Sequence, residues 1–111
     1  MSDIPIPNLS SGGNAEGLLR SLRWAYEGFQ KALPSNRRAV IRVSSNGQTI
    51  RVDGAKWINP ATIIFLQHPQ SEGEALKVMV QHVSQLNVFL DSEEIVKTEQ
   101  PRPPIGFGPA E

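Results

Sequence analysis

Cysteine is absent from this chain of 111 residues, which excludes disulfides, thiolate metal sites and cysteine nucleophiles. Long apolar runs are also absent, and none approaches the ~18 residues that a membrane span needs. The first residues, MSDIPIPNLSSGGN, lack the basic and apolar regions of a secretory signal. These absences predict a cytoplasmic protein with no membrane partner.

An excess of either charge is missing too, because 11 basic side chains balance 11 acidic ones. The balance removes the positive field on which bulk nucleic-acid binding depends, so any site for an anion must be local. A chain of this length has room for one core, and its small size favours extra burial by self-association. We therefore expect a homo-oligomer.

Composition divides the chain into three parts. Residues 1–13 are rich in Pro, Ser and Gly and predict a flexible N-terminal arm. Residues 14–91 carry the periodic patterns of a single α+β domain. Residues 92–111 are a charged, proline-rich tail that is expected to be extended or disordered, with Ile105 and Phe107 as the residues able to dock.

The first half of the domain has clear signals. A helix is predicted from the N-cap Asn14 to the stop at Pro34, because apolar residues recur at steps of three and four. Asn46-Gly47, flanked by alternating apolar residues, predicts a β-hairpin with a type I′ turn over residues 38–53. A turn over Lys56–Pro60 and a central strand over Thr62–Gln67 follow.

The second half is ambiguous, because residues 74–91 fit both strand and helix spacing. We interpret them as a fourth strand over 75–80 and a helix over 81–91, with a single helix over 74–91 as the alternative. The predicted fold class is α+β: a helix, a four-stranded antiparallel β-meander and a C-terminal helix (α-β-β-β-β-α).

The two-residue turn also sets the hairpin register, which places Arg42 directly opposite Arg51 with Arg38 on the same face. Opposed like charges are destabilising, so an anion is expected over the pair. That anion is a phosphate or carboxylate ligand, an acid of a partner protein, or an acid of the tail such as Glu99. The alternative is that the guanidinium groups splay into water or meet an acid on a neighbouring strand.

An aromatic ring near several arginines is the chemistry of a nucleotide site. The predicted ligand-binding residues are therefore Arg38, Arg42, Arg51, Trp57 and Asn59, with closure of the core as the alternative and favoured role of Trp57. The leading functional prediction is a non-catalytic, homo-oligomeric protein that holds a small phosphate-bearing ligand such as a nucleotide. No cofactor is expected.

The back of the first helix forms a second candidate surface, which places Trp24 opposite the core stripe. The predicted interface residues are Gly17, Arg20, Ser21, Trp24 and Gly28. They favour self-association or, as an alternative function, an adaptor or inhibitor that docks a partner protein through this face and the tail. Cover by the chain's own tail is the other explanation for Trp24.

Catalysis is the minor alternative. His68 and His82 are the two histidines, and no spaced carboxylates complete a metal site, so no metal is expected. His82, Ser84 and Asp91 are the residue types of a small hydrolase. On a predicted helix, however, His82 and Ser84 point about 200° apart, so no catalytic residue is assigned.

The segment VQHVSQLN at residues 80–87 follows a run with a glycine turn, SEGEAL, and precedes a tail that contains Ile105-Gly106-Phe107. This combination resembles a small bacterial domain family of unknown function, over roughly residues 15–107. The resemblance implies a stand-alone domain of bacteria and of their mobile elements or phages, without an activity or catalytic residues. In that setting, a phage sponge for a nucleotide immune signal is one form that the ligand-binding function takes.

Overall fold

The computed structural model describes residues 4–5, 14–96 and 104–109. Most of the predicted N-terminal arm, residues 97–103 of the tail with Glu99, and residues 110–111 lie outside the described residues. In chain order the elements are β1 (Ile4–Pro5), α1 (Ala15–Ala32), β2 (Arg37–Ser45), β3 (Gln48–Arg51), β4 (Gly54–Asn59), β5 (Thr62–Gln67), β6 (Lys77–His82), a 3₁₀ turn (Val83–Gln85), β7 (Val88–Glu94) and β8 (Gly106–Pro109).

The helix α1 confirms the prediction of a helix between Asn14 and Pro34. Asn14 caps it, because its side chain accepts a hydrogen bond of 2.8 Å from the Gly17 amide. The face predicted to be apolar is buried, with Leu18, Leu19 and Leu22 in the core. The helix ends at Ala32, just before Pro34, which cannot continue it.

The hairpin β2–β3 also confirms its prediction. Asn46 and Gly47 have φ angles of 50° and 81°, as a type I′ turn requires. The turn places Val43 opposite Ile50 and Arg42 opposite Arg51. The alternation of the strands then buries Val43 and Ile50 and directs both arginines to the other face.

The strands form two sheets, so the predicted four-stranded meander is wrong. The first sheet has the order β1-β7-β2-β3 and the second the order β6-β5-β4-β8. The chain changes sheets after β3, where the Asp53 amide donates a hydrogen bond of 2.7 Å to the Leu66 carbonyl of β5. In the second sheet β8, from the predicted tail, pairs parallel with β4.

The predicted C-terminal helix over 81–91 is wrong as well. β6 continues to His82, a single 3₁₀ turn follows, and β7 then pairs antiparallel with β2 along Arg37–Val43. β7 crosses the predicted domain boundary after Asp91. The apolar residues of this segment also have helical spacing. They form a strand instead because β7 pairs with the side of β2 that β3 does not occupy.

One core joins α1 with β2–β8. Side chains from both sheets and α1 contribute to it, among them the fully buried Leu19, Leu22, Ile41, Val43, Val52, Ile63 and Phe65. Ile105 and Phe107 of the tail segment pack against it partly buried. Within the described part of the chain, no helix is both long and apolar enough to cross a membrane.

Candidate functional site

The opposed arginines lie on the face of the first sheet that points away from the core, and they contact carboxylates of β7. The Arg38 Nε donates to Glu93 Oε1 at 2.7 Å, and the Arg51 Nη1 donates to the same oxygen at 3.1 Å. The Arg42 Nε donates to Asp91 Oδ2 at 3.2 Å. We call these five residues the arginine cluster.

The arginine cluster arises from strand order. β7 lies beside β2 in a register that places Glu93 opposite Arg38 and Asp91 opposite Val40. Asp53, just after β3, adds a further carboxylate, 4.0 Å from the Arg51 Nε. The acids on a neighbouring strand that the sequence left as an alternative are therefore present.

This arrangement removes the electrostatic reason for a phosphate over the pair. The side chains of the cluster are only partly exposed, which strengthens the ion pairs relative to those in open solvent. A phosphate would have to compete with Glu93 and Asp91 for the same guanidinium groups. The ligand-binding function stays a prediction.

Trp57 and Asn59 lie apart from the arginine cluster, on β4 of the second sheet, and Trp57 does not lie on a turn as predicted. Trp57 is half-buried and lines a shallow cavity of about 240 Å³ with Leu19, Arg20 and Phe107. Asn59 accepts a hydrogen bond of 2.9 Å from the Ala61 amide and so holds the turn before β5. The fold therefore does not bring the five predicted ligand residues together.

A cavity of about 200 Å³ beside the cluster is lined by Tyr26, Arg38, Arg51, Asp53 and Ile105, among others. Burial raises the pKa of the Tyr26 hydroxyl above its ordinary value; Arg38 acts in the opposite direction and Glu27 in the same one. The cavity thus combines a neutral hydroxyl with ion-paired arginines. Hydroxyl and guanidinium groups both donate hydrogen bonds to a bound molecule.

Gln30 also lines this cavity, and its side chain makes hydrogen bonds to β2 that a neighbouring strand would otherwise make. Its side chain accepts from the Ala39 amide at 2.8 Å and donates to the Arg37 carbonyl at 3.4 Å. Since β3 ends before it reaches this part of β2, the amide side chain satisfies backbone groups that would otherwise lack a partner. Gln30 therefore has a structural role, because its side chain joins α1 to β2.

The helix surface predicted from the sequence is exposed. Arg20, Ser21, Trp24 and Gly28 face solvent, whereas Gly17 is half-buried beside its cap. Trp24 is 79% exposed. In the described part of the tail, β8 lies beside Trp57 rather than over Trp24. The explanation that this segment covers Trp24 is therefore wrong.

Sequence reasoning missed an exposed apolar surface on the second sheet. Val78 and Val80 of β6 are 53% and 59% exposed, and they lie opposite Leu66 and Ile64 of β5. Their neighbours Met79 and Gln81 are buried instead. The alternation at Val78 and Val80 was visible in the sequence, but it does not reveal which of the two faces is buried.

His82 and Ser84 correct a further prediction. Because a strand and a 3₁₀ turn replace the helix, the His82 Nδ1 lies 2.7 Å from the Ser84 Oγ and also accepts from the Ser84 amide at 3.1 Å. The ring nitrogen thus caps the turn. Asp91 contacts Arg42 instead. His82 and Ser84 are both exposed, so among the described residues this pair lacks the third group and the enclosed site that a hydrolase needs.

Among the described residues, no group of three His, Asp or Glu side chains is placed to hold a metal ion. Three surfaces stand out among the described residues: the arginine cluster, the helix surface around Trp24 and the valines of β6. In comparisons with protein families, curated proteins and solved structures, no match to this chain was found.

Proposed function

We propose that this protein is a non-catalytic binding protein that docks another protein on the surface of α1 around Trp24. The observation that supports the proposal is the 79% exposure of the Trp24 side chain on a regular helix. A tryptophan contributes large apolar area and loses little conformational entropy on binding. It is therefore among the residues most enriched at binding hot spots.

The surroundings of Trp24 suit a preformed contact surface. The opposite side of α1 is held in the core by Leu18 and Leu22, so the helix presents Trp24 in a fixed position. Arg20 pairs with Glu16 at 2.8 Å and Arg23 with Glu27 at 3.2 Å. Exposed pairs of this kind contribute little to stability, and they supply the polar rim that surrounds an apolar hot spot.

Site-specific photo-crosslinking tests the proposal. A photoreactive phenylalanine analogue at position 24, in protein produced in its own host cells, should capture a defined partner. The same analogue at the exposed position Glu72, in the loop between β5 and β6, should not capture it. With the captured partner purified, Trp24→Ala should weaken binding by ten-fold or more and Glu72→Ala by less than two-fold.

Equal affinities of the partner for the Trp24→Ala variant and the wild type would reject the α1 surface. Because Trp24 is mostly exposed, the substitution should leave the melting temperature almost unchanged, so a loss of binding reports the surface and not the fold. A captured partner that proves to be this same chain would assign the α1 surface to self-association. We also propose that the protein is located in the cytoplasm.

A phosphate-bearing ligand is the second candidate function, and the cavity beside Tyr26, Arg38 and Arg51 is the observation in its favour. Ligand binding would raise the melting temperature by mass action. A panel of nucleotides tests it: at least one should stabilise the wild type and not Arg38→Ala. If none of them shifts the melting temperature of the wild type, this function is rejected.

A further inference from the structure

We infer that two copies of this chain pair along the edge of β6 and form a two-fold symmetric dimer with one sheet continuous across both. Among the described strands, β6 is an outer strand of the second sheet, with β5 on its other side. An exposed edge with apolar side chains is a template for a further strand. The inference uses a different surface from α1 and does not depend on the proposed function.

The direction of the backbone groups on β6 follows from its pairing with β5. The Val83 amide donates to the Ala61 carbonyl at 2.8 Å, and the same register continues along β6. In an antiparallel pair alternate residues point their amides and carbonyls to the same neighbour. The backbone groups of Val78, Val80 and His82 therefore point away from β5, toward the open edge.

The other outer strands of the described sheets are protected. β1 contains Pro5 and β8 ends at Pro109, and proline cannot donate to a further strand. The Arg51 amide of β3 donates to the Gln67 side chain at 2.7 Å, so part of that edge is already occupied. β6 has no proline and presents Val78 and Val80. It is therefore the edge best suited to pairing.

The sequence of β6 suits pairing with itself. In an antiparallel pair centred on Met79, Val78 lies opposite Val80 of the partner subunit, and Val80 lies opposite Val78 of the partner subunit. These two pairs supply about four backbone hydrogen bonds. Lys77 is the one Lys, Arg, Asp or Glu of β6, and it then lies opposite Gln81 of the partner subunit, so no lysines meet.

The same register joins the exposed apolar side chains of both copies. Ile64 lies beside Val80, and Leu66 lies beside Val78, within one chain. In the dimer, the row of Leu66 and Val78 continues into Val80 of the partner subunit and Ile64 of the partner subunit. The row of Ile64 and Val80 continues in the same way into Val78 of the partner subunit and Leu66 of the partner subunit. Four aliphatic side chains then stand side by side in each row, and each valine loses part of its 53–59% exposure. This complementarity is why the partner is a second copy and not an unrelated strand.

Mass measurement in solution gives the first test. Light scattering coupled to size-exclusion chromatography of the full chain should give twice the mass of one chain. Val80→Lys should halve that mass at the same concentration, because two lysines would meet an apolar row across the axis. Trp24→Ala should stay dimeric, which separates this dimer from the partner docking proposed above.

Cysteine cross-linking gives the second test and reports the register. The chain has no cysteine, so single Val78→Cys and Val80→Cys variants carry one thiol each. Opposed residues with amides facing each other lie ~5.5 Å apart at Cα, which fits a disulfide. Mixing the two variants under mild oxidation should give the mixed disulfide in preference to either homodimer, and Lys31→Cys should give none.

Four results would overturn the inference. One is a wild-type chain that stays monomeric across the concentration range. Another is a dimer that survives Val80→Lys with its circular dichroism and melting temperature unchanged. A third is a dimer in which thiols at positions 78 and 80 do not cross-link. The last is a monomer with another protein's strand bound to β6, because the partner would not be a second copy.

Discussion

At the residue scale, Glu93 joins three strands through two arginines. One of its oxygens, on β7, accepts hydrogen bonds from Arg38 of β2 and Arg51 of β3. Arg42 lies 3.9 Å from its other oxygen. Like charges that a tight turn forces together are thus separated by an acid that is 42 residues or more away in sequence. The opposition of like charges predicted from the sequence is present, and the tertiary structure supplies the acids that compensate for it.

Replacing Glu93 should therefore destabilise the first sheet. We expect Glu93→Gln to lower the free energy of unfolding by about 1–3 kcal/mol, because it leaves the partly buried arginines with less compensating charge. Urea denaturation measures the change. The exposed neighbour Glu94 provides the control. Glu94→Gln should change the free energy of unfolding by less than ~0.5 kcal/mol. Equal losses for both variants would contradict this role of Glu93.

The same variant should reveal whether the cluster can hold an anion. With Glu93 neutralised, phosphate should raise the melting temperature of Glu93→Gln by more than that of the wild type, at ionic strength matched with chloride. The comparison removes the general stabilising effect of phosphate on folded proteins. The same increase in both proteins would show that Glu93 does not compete with anions.

Tyr26 offers a spectroscopic test, because it is the only tyrosine of the chain. Burial raises the pKa of its hydroxyl, so its absorbance change should occur at higher pH in the folded protein than in urea. The neutral hydroxyl contributes stability that is fully present below the pKa of the unfolded chain. That stability is lost as the pH rises through the folded pKa. Coincident titrations in the two states would contradict the burial.

At the element scale, the hairpin turn and α1 show how strongly local sequence determines local structure. The cap at Asn14 and the stop at Pro34 bound the helix, and the pair Asn46-Gly47 sets the register of β2 and β3. Both elements depend on contacts within a few residues, which is why spacing and turn chemistry predict them correctly. The segment from Lys77 to Glu94 has no such local determinant.

Two glycines give a paired prediction for these elements. Gly47→Ala should destabilise the protein by about 1–2 kcal/mol, because its φ of 81° is strained for any residue with a side chain. Gly28→Ala should stabilise it by up to ~1 kcal/mol, because the site lies in the exposed helix with no heavy atom near the new methyl group. Thermal unfolding of both variants checks the opposite signs, and a shared sign would contradict the assignment.

At the scale of the whole molecule, the two sheets and α1 share one core, and the chain returns to each sheet from a distance. β7 returns to β2, and β8 returns to β4 beside Trp57. Such pairings bring together segments that are far apart in sequence, so they cost more loop entropy and leave no local pattern. They decide where the charged and apolar surfaces lie.

The docking of β8 is testable because Phe107 packs against the core through its half-buried ring. We expect Phe107→Ala to lower the free energy of unfolding by about 1–3 kcal/mol, through lost apolar burial. Val96→Ala, at an exposed position in the same C-terminal part, should change it by less than ~0.5 kcal/mol. Denaturant titration distinguishes the two, and an unchanged midpoint for Phe107→Ala would contradict the docking.

The candidate site was predictable only in part. The opposition of Arg42 and Arg51 and the exposure of Trp24 follow from the hairpin register and from helix periodicity. The partners Glu93 and Asp91 were hidden, because they lie on a strand that was predicted to be a helix. The contact of His82 with Ser84 was excluded for the same reason. These two errors in the site derive from one error in the fold, whereas the separation of Trp57 from the arginines derives from the division into two sheets.

By itself the sequence determined α1, the hairpin with its opposed arginines, and the absence of thiol chemistry, since these depend on neighbours along the chain or on composition. Only the tertiary structure decided the rest. It set the division into two sheets, neutralised the arginines and left the valines of β6 exposed. The physical reason is that alternation shows that a strand has two faces, whereas the segments that come to lie beside it decide which face is buried and which charge is paired.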